Sequence, residues 1–366
     1  MPDIYLDHHA TTPPLPEVLA VIQACPWANP SSLHGFGQEA RRALDRAREQ
    51  VAALIGADPE EIVFTSGGTE ADNLALRTAS GPITVSAIEH SAVLETCRVL
   101  ETRGATVARL PTTPQGLVDP TVDLLPGTAL LSVMLANHDL GTLQPVAALA
   151  TRAHALGALV HTDAVQALGK ISVNVRELGV DLLSLSAHKV YGPKGVGALF
   201  VRRGLELRPQ ITGGPQERRQ RAGTENLPGI VGFGVACRVA LERLESRTAH
   251  VRRLRDRLQM GILEGIPGTH LNGAREPRLP GALNVGFEGL LGEDLLLNLD
   301  LEGIAVSLGA ACHSQSRKAS PVLLALGQGE DEARSALRFT LGEGNTEAEI
   351  DRTLEVLTGI VARLRG

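Results

Sequence analysis

Among the 35 basic residues of the chain only four are lysines, Lys170, Lys189, Lys194 and Lys318, and the rest are arginine. Arginine cannot form a Schiff base, whereas a lysine amine becomes a nucleophile at neutral pH when desolvation or a nearby cation lowers its proton affinity. Lys189 is the best placed of the four, because the apolar run Asp181-Leu-Leu-Ser-Leu-Ser ends in Ala-His-Lys and then breaks into the Gly/Pro loop YGPKGVG. The structural alternative is a lysine that snorkels at a strand end. Asp163 closes another apolar run, GALVHTD, 26 residues earlier. A carboxylate in that position needs a cationic or hydrogen-bonding partner. A plain Asp–Lys ion pair would account for both residues.

Two further strand ends carry polar chemistry. In Thr65-Ser-Gly-Gly-Thr-Glu, Gly68 and Thr69 open a helix, where close backbone approach and the helix N-terminus favour an anion. Ile88-Glu-His-Ser presents His90 at the mouth of a sheet. Taken singly these are a capped turn and a solvated histidine. One ligand explains them together: pyridoxal 5'-phosphate needs a lysine for its aldehyde, an acid for its pyridine nitrogen, an anion site for its phosphate and a planar side chain over its ring. His8 and His9 also end a short strand, but neighbours on an extended chain point opposite ways, so a shared ligand is not expected and no metal site is expected.

The elements that must position these residues alternate. EIVFTS, ITVSAI, TVARLP, ALLSVML, GALVHTDA, DLLSLS and GALFVRR read as strands, with helices in GGTEADNLALRTA, SAVLETCRVLETRG and PVAALATRAHALG. Alternation of this kind predicts an α/β layer with a mostly parallel sheet flanked by helices, whose ligands sit beyond the carboxyl ends of the strands. From about residue 230 a long Arg-rich helix precedes the short strands ALNVGF, IAVSLG and ALRFTL, which predicts a smaller α+β domain. The expected division is residues 14–230 as the large domain and residues 1–13 with 231–366 as the small one. At 366 residues the chain suits two domains, and a net charge of -6 argues against nucleic acid. The N-terminal stretch has no signal-peptide character and no segment suits a membrane span, so a cytoplasmic protein is expected. Four cysteines without a C-x-x-C pair fit a reducing compartment.

Nine motifs standing in order, LDHHATTP, NPSSLHGFG, EIVFTSGGTEADNLA, EHSAVL, HTDAVQALGK, SAHKVYGPKGVGAL, RAGTENLPGIVGFG, SLGAAC and LRFTLG, resemble the cysteine desulfurases of the NifS/IscS type, class V of the fold-type-I pyridoxal-phosphate enzymes. The resemblance implies that Lys189 forms the Schiff base, that Asp163 partners the pyridinium and that Gln166 contacts the ring hydroxyl. His90 would stack on the ring and relay protons. Gly68, Thr69, Ser186 and His188 would hold the phosphate, with Thr224 reaching in from a second subunit, which implies a homodimer. Asn137 and Arg338 would hold the substrate carboxylate. The chain departs from the family at His138-Asp139, where Asn-Glu is common, at Ala187 and Pro215, where Gly is common, and in the basic segment HSQSRKAS. It closes on RLRG, without the tail by which housekeeping members dock an iron–sulfur scaffold.

Cys312 decides which reaction the cofactor would serve. Cys97 and Cys237 fall within helical patterns and Cys25 precedes a proline, whereas Cys312 follows SLGAA in a loop carrying His313, Arg317 and Lys318. Cations lower a thiol pKa. A thiolate there would take sulfur from L-cysteine, releasing L-alanine and leaving a persulfide on Cys312, whose sulfur would pass to an acceptor protein, a scaffold or carrier, for iron–sulfur cluster or thio-cofactor and tRNA biosynthesis. A selenocysteine lyase, another class V aminotransferase or lyase, and a non-catalytic binding subunit are the other readings. An aminotransferase would not need Cys312, and a silent subunit would be expected to have lost it or Lys189.

Overall fold

The computed structural model describes residues 4–308 and 319–366. Its strands are β1 (Ile4–Tyr5), β2 (Ile62–Thr65), β3 (Ile83–Ser86), β4 (Val107–Leu110), β5 (Leu130–Ser132), β6 (Leu159–Asp163), β7 (Leu182–Ser186), β8 (Gly197–Val201), β9 (Thr269–Leu271), β10 (Ala282–Phe287), β11 (Ile304–Ala305) and β12 (Ala336–Thr340). Seven of them form one sheet in the order β2-β8-β7-β6-β5-β3-β4. Every neighbouring pair in it is parallel except the two made by β8. The parallel strands β3, β5 and β7 are buried along their whole length, as a sheet covered by helices on each side requires.

The helices are α1 (Pro16–Gln23), α2 (Gly35–Leu54), α3 (Gly68–Leu76), α4 (Ser91–Glu101), α5 (Val146–Ala155), α6 (Val175–Leu178) and α7 (Leu227–Gly265), with further helices toward the C-terminus. α2 and the first part of α7 cover one face of the sheet, and α3 and α4 the other. A second, smaller core gathers β10 and β12, the end of α7, the C-terminal helix Glu347–Arg365 and the N-terminal residues Ile4 and Leu6. β1 pairs with β11, so the N-terminus belongs to this second core.

α7 runs 39 residues without interruption. Its residues from Leu227 to Ala240 pack in the large core and those from Val251 to Ile262 in the small one. The expected division at residue 230 therefore falls inside a continuous helix. Eleven of the residues from Leu227 to Ala240 are apolar or glycine and buried, whereas the stretch beyond them is Arg-rich; the sequence change marks a change of packing partner, not a break in the helix. Among the described residues no helix is long and apolar enough to cross a membrane.

Candidate active site

Strands β6 and β7 are parallel neighbours, and their carboxyl ends deliver Asp163 and, three residues past Ser186, Lys189. Beside them, Gly197 at the start of β8 lies so close to Gly67 that a Cβ would stand 2.4 Å from the Leu185 carbonyl and 2.7 Å from the Gly67 backbone. That contact seats the N-terminus of α3, with Gly68 buried and Thr69 exposed, against the end of β7. Gly68 itself packs on Val165, whose methyl would lie 2.7 Å from an added Cβ. The phosphate-type cradle expected of Gly68, Thr69 and Ser186 is thus assembled by two places where only glycine fits.

The Lys189 amine donates to the carbonyls of His9 and, at 2.7 Å, Ala10. Gln166 donates to the same His9 carbonyl at 3.0 Å and accepts from Lys170 at 2.9 Å. His188 lies 3.1 Å from the Thr11 hydroxyl through Nδ1, and burial first, then the nearby lysines, push its pKa down to about 4, so it is neutral at pH 7. The N-terminal segment is therefore a wall of the site. Residues 8–10 form a turn, not a strand. This corrects the expectation for His8 and His9: on a turn they do not oppose one another, and both line one cavity with Lys170 and Lys189.

Asp163 is buried and accepts one backbone hydrogen bond, from Val165 at 2.8 Å. Burial raises its pKa, while His90 and Lys189 draw it back down. Two further buried acids lie behind it. Burial pushes Glu89 up to about 8; it accepts from the Ser86 hydroxyl and from the Met134 amide at 2.8 Å. Asp72 is raised by burial and by Asp163, and stands 3.6 Å from Nε2 of His161. His161 is bracketed by the Ser132 and Ser184 hydroxyls at 2.8 and 2.9 Å and held neutral by burial. Of the three acids Asp163 is the one that His90 and Lys189 act on, and a buried carboxylate with one hydrogen bond gains most from a cation placed against it. A protonated pyridine nitrogen is such a cation, so these residues fit pyridoxal phosphate.

His90 caps α4, its Nδ1 accepting from Ala92 at 3.1 Å, which puts the proton on Nε2. Its ring meets that of His138 edge to face, centroids 5.4 Å apart. The His138 carbonyl accepts from Arg338 at 3.1 Å and from His9 Nδ1 at 3.0 Å. Arg338 also bridges Asp7 at 2.7 Å and Asp139 at 3.3 Å. Asn137 is fully buried; its Oδ1 accepts from the Asp139 and Leu140 amides and its Nδ2 donates to Ile88. It thereby pins the loop that carries His138 against the His90 loop.

The chain of residues 4–353 matches the family Aminotransferase class-V. A cysteine desulfurase of Gluconacetobacter diazotrophicus is 47% identical over 99% of this chain and 94% of its own length. The solved structure of a NifS-like protein superposes with a TM-score of 0.91 at 38% identity, covering 99% of this chain and 100% of the other. A structure described as SspA in complex with cysteine gives 0.81 at 35% identity over 94% of this chain and 100% of that one. The chain belongs to the cysteine desulfurases of the class-V aminotransferase family. It is a pyridoxal-phosphate enzyme, and its large sheet is that of fold type I.

Within this family member, Thr224 stands apart: it is exposed in the loop before α7, and among the described residues no hydrogen bond ties it to Thr69, Ser186 or His188. Two departures have local explanations. The Ala187 methyl is accommodated because Gly192 lies opposite, where a Cβ would come within 2.9 Å of it. Pro215 sits at φ -84°, a negative φ close to the value its ring fixes, so no glycine is required there. Cys312, His313, Arg317 and Lys318 lie outside the described residues. Asp72, Glu89 and His161 escape a reading by strand ends, though polar residues inside apolar strands, Ser132 and Ser184 among them, were a signal of a buried network.

Proposed function

We propose that this enzyme removes sulfur from L-cysteine, giving L-alanine and a persulfide on Cys312. The observation that carries the reading is the convergence of the Lys189 amine, the buried Asp163 and the caged Arg338 on one loop-walled site. Bound pyridoxal phosphate supplies the electron sink that weakens the Cα–H and Cβ–S bonds of the amino acid. Lys189 would hold the cofactor through its aldehyde, and its amine would serve as a base toward the substrate. Asp163 holds a proton on the pyridine nitrogen, and Gln166, Thr69, Ser186 and His188 fix ring and phosphate. Arg338, with Asn137 shaping the wall beside it, takes the substrate carboxylate. His90 moves protons through Nε2.

The three described cysteines are free, and burial raises the thiol pKa of each, Cys97 to about 12. None is a ready thiolate, which supports Cys312 with its basic neighbours as the nucleophile. Its sulfur attacks the substrate sulfur, an S–S bond forms as the Cβ–S bond breaks, and the electron pair left on carbon is protonated to alanine. That a structural relative is described in complex with cysteine supports this substrate.

The working unit is a homodimer in which Thr224 completes the phosphate site of the other copy. Its exposed position supports this, as do the exposed side chains of Trp27, Leu33 and Phe36, an apolar group of the kind that marks an interface. Sulfur then passes to an acceptor protein, and free thiols fit a cytoplasmic setting.

Cys312→Ser tests the reading. The variant retains the cofactor and still binds L-cysteine, seen as a spectral change, because Lys189, Asp163 and Arg338 are untouched. It releases almost no alanine, since a hydroxyl is a poor nucleophile toward sulfur. Pyruvate and sulfide in place of alanine would favour a β-lyase, in which the cofactor alone eliminates sulfur, and alanine release at the unmodified rate would overturn the role of Cys312 as sulfur acceptor.

A further inference from the structure

A cavity lined by Lys170, Lys189, Tyr191, Arg247 and the two histidines His8 and His9 adjoins the candidate site. It shares Lys189 and His9 with that site, but Thr69, His90, Asp163, Ser186, Asn137 and Arg338 do not line it. It is therefore separate from the places assigned to the cofactor phosphate and the substrate carboxylate.

Three of its lining side chains, Lys170, Lys189 and Arg247, are donors only. Lys170 spends one N–H on Gln166 at 2.9 Å. Arg247 is 7% exposed. Its Nε donates to Glu343 at 2.7 Å and its Nη2 lies 2.6 Å from the same carboxylate, yet neither terminal nitrogen makes a directed hydrogen bond among the described residues. The guanidinium lies over the Tyr191 ring, 4.7 Å from its centroid. The Tyr191 hydroxyl accepts from the Glu343 amide at 2.9 Å, which leaves its own proton to donate. Nδ1 of buried His8 makes no hydrogen bond among the described residues.

No carboxylate is among the described lining residues, and Glu343 offsets Arg247 from outside. The charged neighbours that act on Lys170 are Lys189 and Arg338, both positive. A buried ammonium among cations either gives up its proton or takes an anion beside it. The unspent N–H groups of a flat guanidinium favour the second, because they match the spacing of oxygens on one acid group.

We propose that this cavity binds one small oxyanion, held by Lys170, Arg247 and Tyr191. Inorganic sulfate or phosphate and a small carboxylate share the required chemistry. The proposal is independent of the role given to Cys312. Its consequence is a counter-charge stationed next to Lys189 by an ion that takes no part in the reaction.

Holoenzyme crystals free of sulfate and phosphate, soaked in selenate, test it through the anomalous signal of selenium. A peak is expected within hydrogen-bond distance of Lys170 Nζ and an Arg247 terminal nitrogen. In solution, calorimetric titration with selenate at constant ionic strength should show one site, weakened at least tenfold in Lys170→Met. Tyr191→Phe, which keeps the ring under Arg247, should weaken it several-fold. Displacement of selenate by phosphate but not acetate would identify an inorganic occupant, and the reverse a carboxylate; either result upholds the site. Selenate only on surface arginines, an adventitious ion only, would overturn the proposal. So would unchanged binding in folded Lys170→Met, or bromide filling the cavity as readily as selenate.

Discussion

A carboxylate in a dry site depends on the cations set against it. Burial raises Asp163, Glu89 and Asp72 alike, and of the three Asp163 is the one that His90 and Lys189 draw back down. Asp163→Asn preserves shape but not charge, so the folded variant should lose at least about a hundredfold in alanine production, measured under cofactor saturation. Glu89 carries a separate prediction. Its folded pKa of about 8 lies above the unfolded value, so its stabilising contribution is complete below about 4.5 and is lost as pH rises through about 8. Glu89→Gln removes that dependence: thermal unfolding of the parent should weaken relative to the variant between about pH 5 and 8. Parallel curves for the two proteins would refute it. Lys189, Asp163 and His90 were legible in the sequence because each stands at the end of an apolar run. Asp72 was not, since nothing local distinguishes a buried aspartate on the first turns of a helix from an exposed one.

At the scale of elements, alternating apolar runs made the strands and helices readable, and the turn at residues 8–10 was not, because two histidines carry no turn signal of their own. The loop that presents Thr224 shows a second limit. Three successive residues, Glu217, Arg218 and Arg219, adopt positive φ without a glycine among them. Such backbone persists only where its surroundings over-determine it. Arg48 on α2 does so, grasping both oxygens of Glu217 at 2.6 and 2.8 Å, while the Phe64 amide donates to one of them. The pair is separated by 169 positions, and no local pattern in either segment points to the other. Arg48→Met should destabilise the protein by roughly 3–5 kcal/mol, because it strands a buried carboxylate. Urea unfolding measures this, and a loss below about 1 kcal/mol would show that the loop has another anchor.

For the whole molecule, we place the division between the two cores inside α7, between Ala240 and Val251. A helix of 39 residues is about 58 Å long, so it fixes the cores to a common axis. The N-terminal residues fix them a second time. Leu6 is wholly buried in the small core, bonded to the backbone of Ala305 and Thr340, while His9 and Ala10 a few residues on hold Lys189 in the large one. Leu6→Ala should therefore cost roughly 2–5 kcal/mol and also loosen the cofactor, seen as faster release on dilution. Cofactor retention unchanged at the same loss of stability would sever that link.

The pairing of β1 with β11 has a bearing on how the enzyme is made. A segment made before the large sheet finds its partners in residues made well after it. The large sheet is complete by Val201 and can form while synthesis continues, since domains fold as units in order of emergence. The carbonyls that receive Lys189 reach their places only when β12 arrives. Maturation then has two stages, an early scaffold and a late closure, and the newborn chain becomes able to retain its cofactor only in the second.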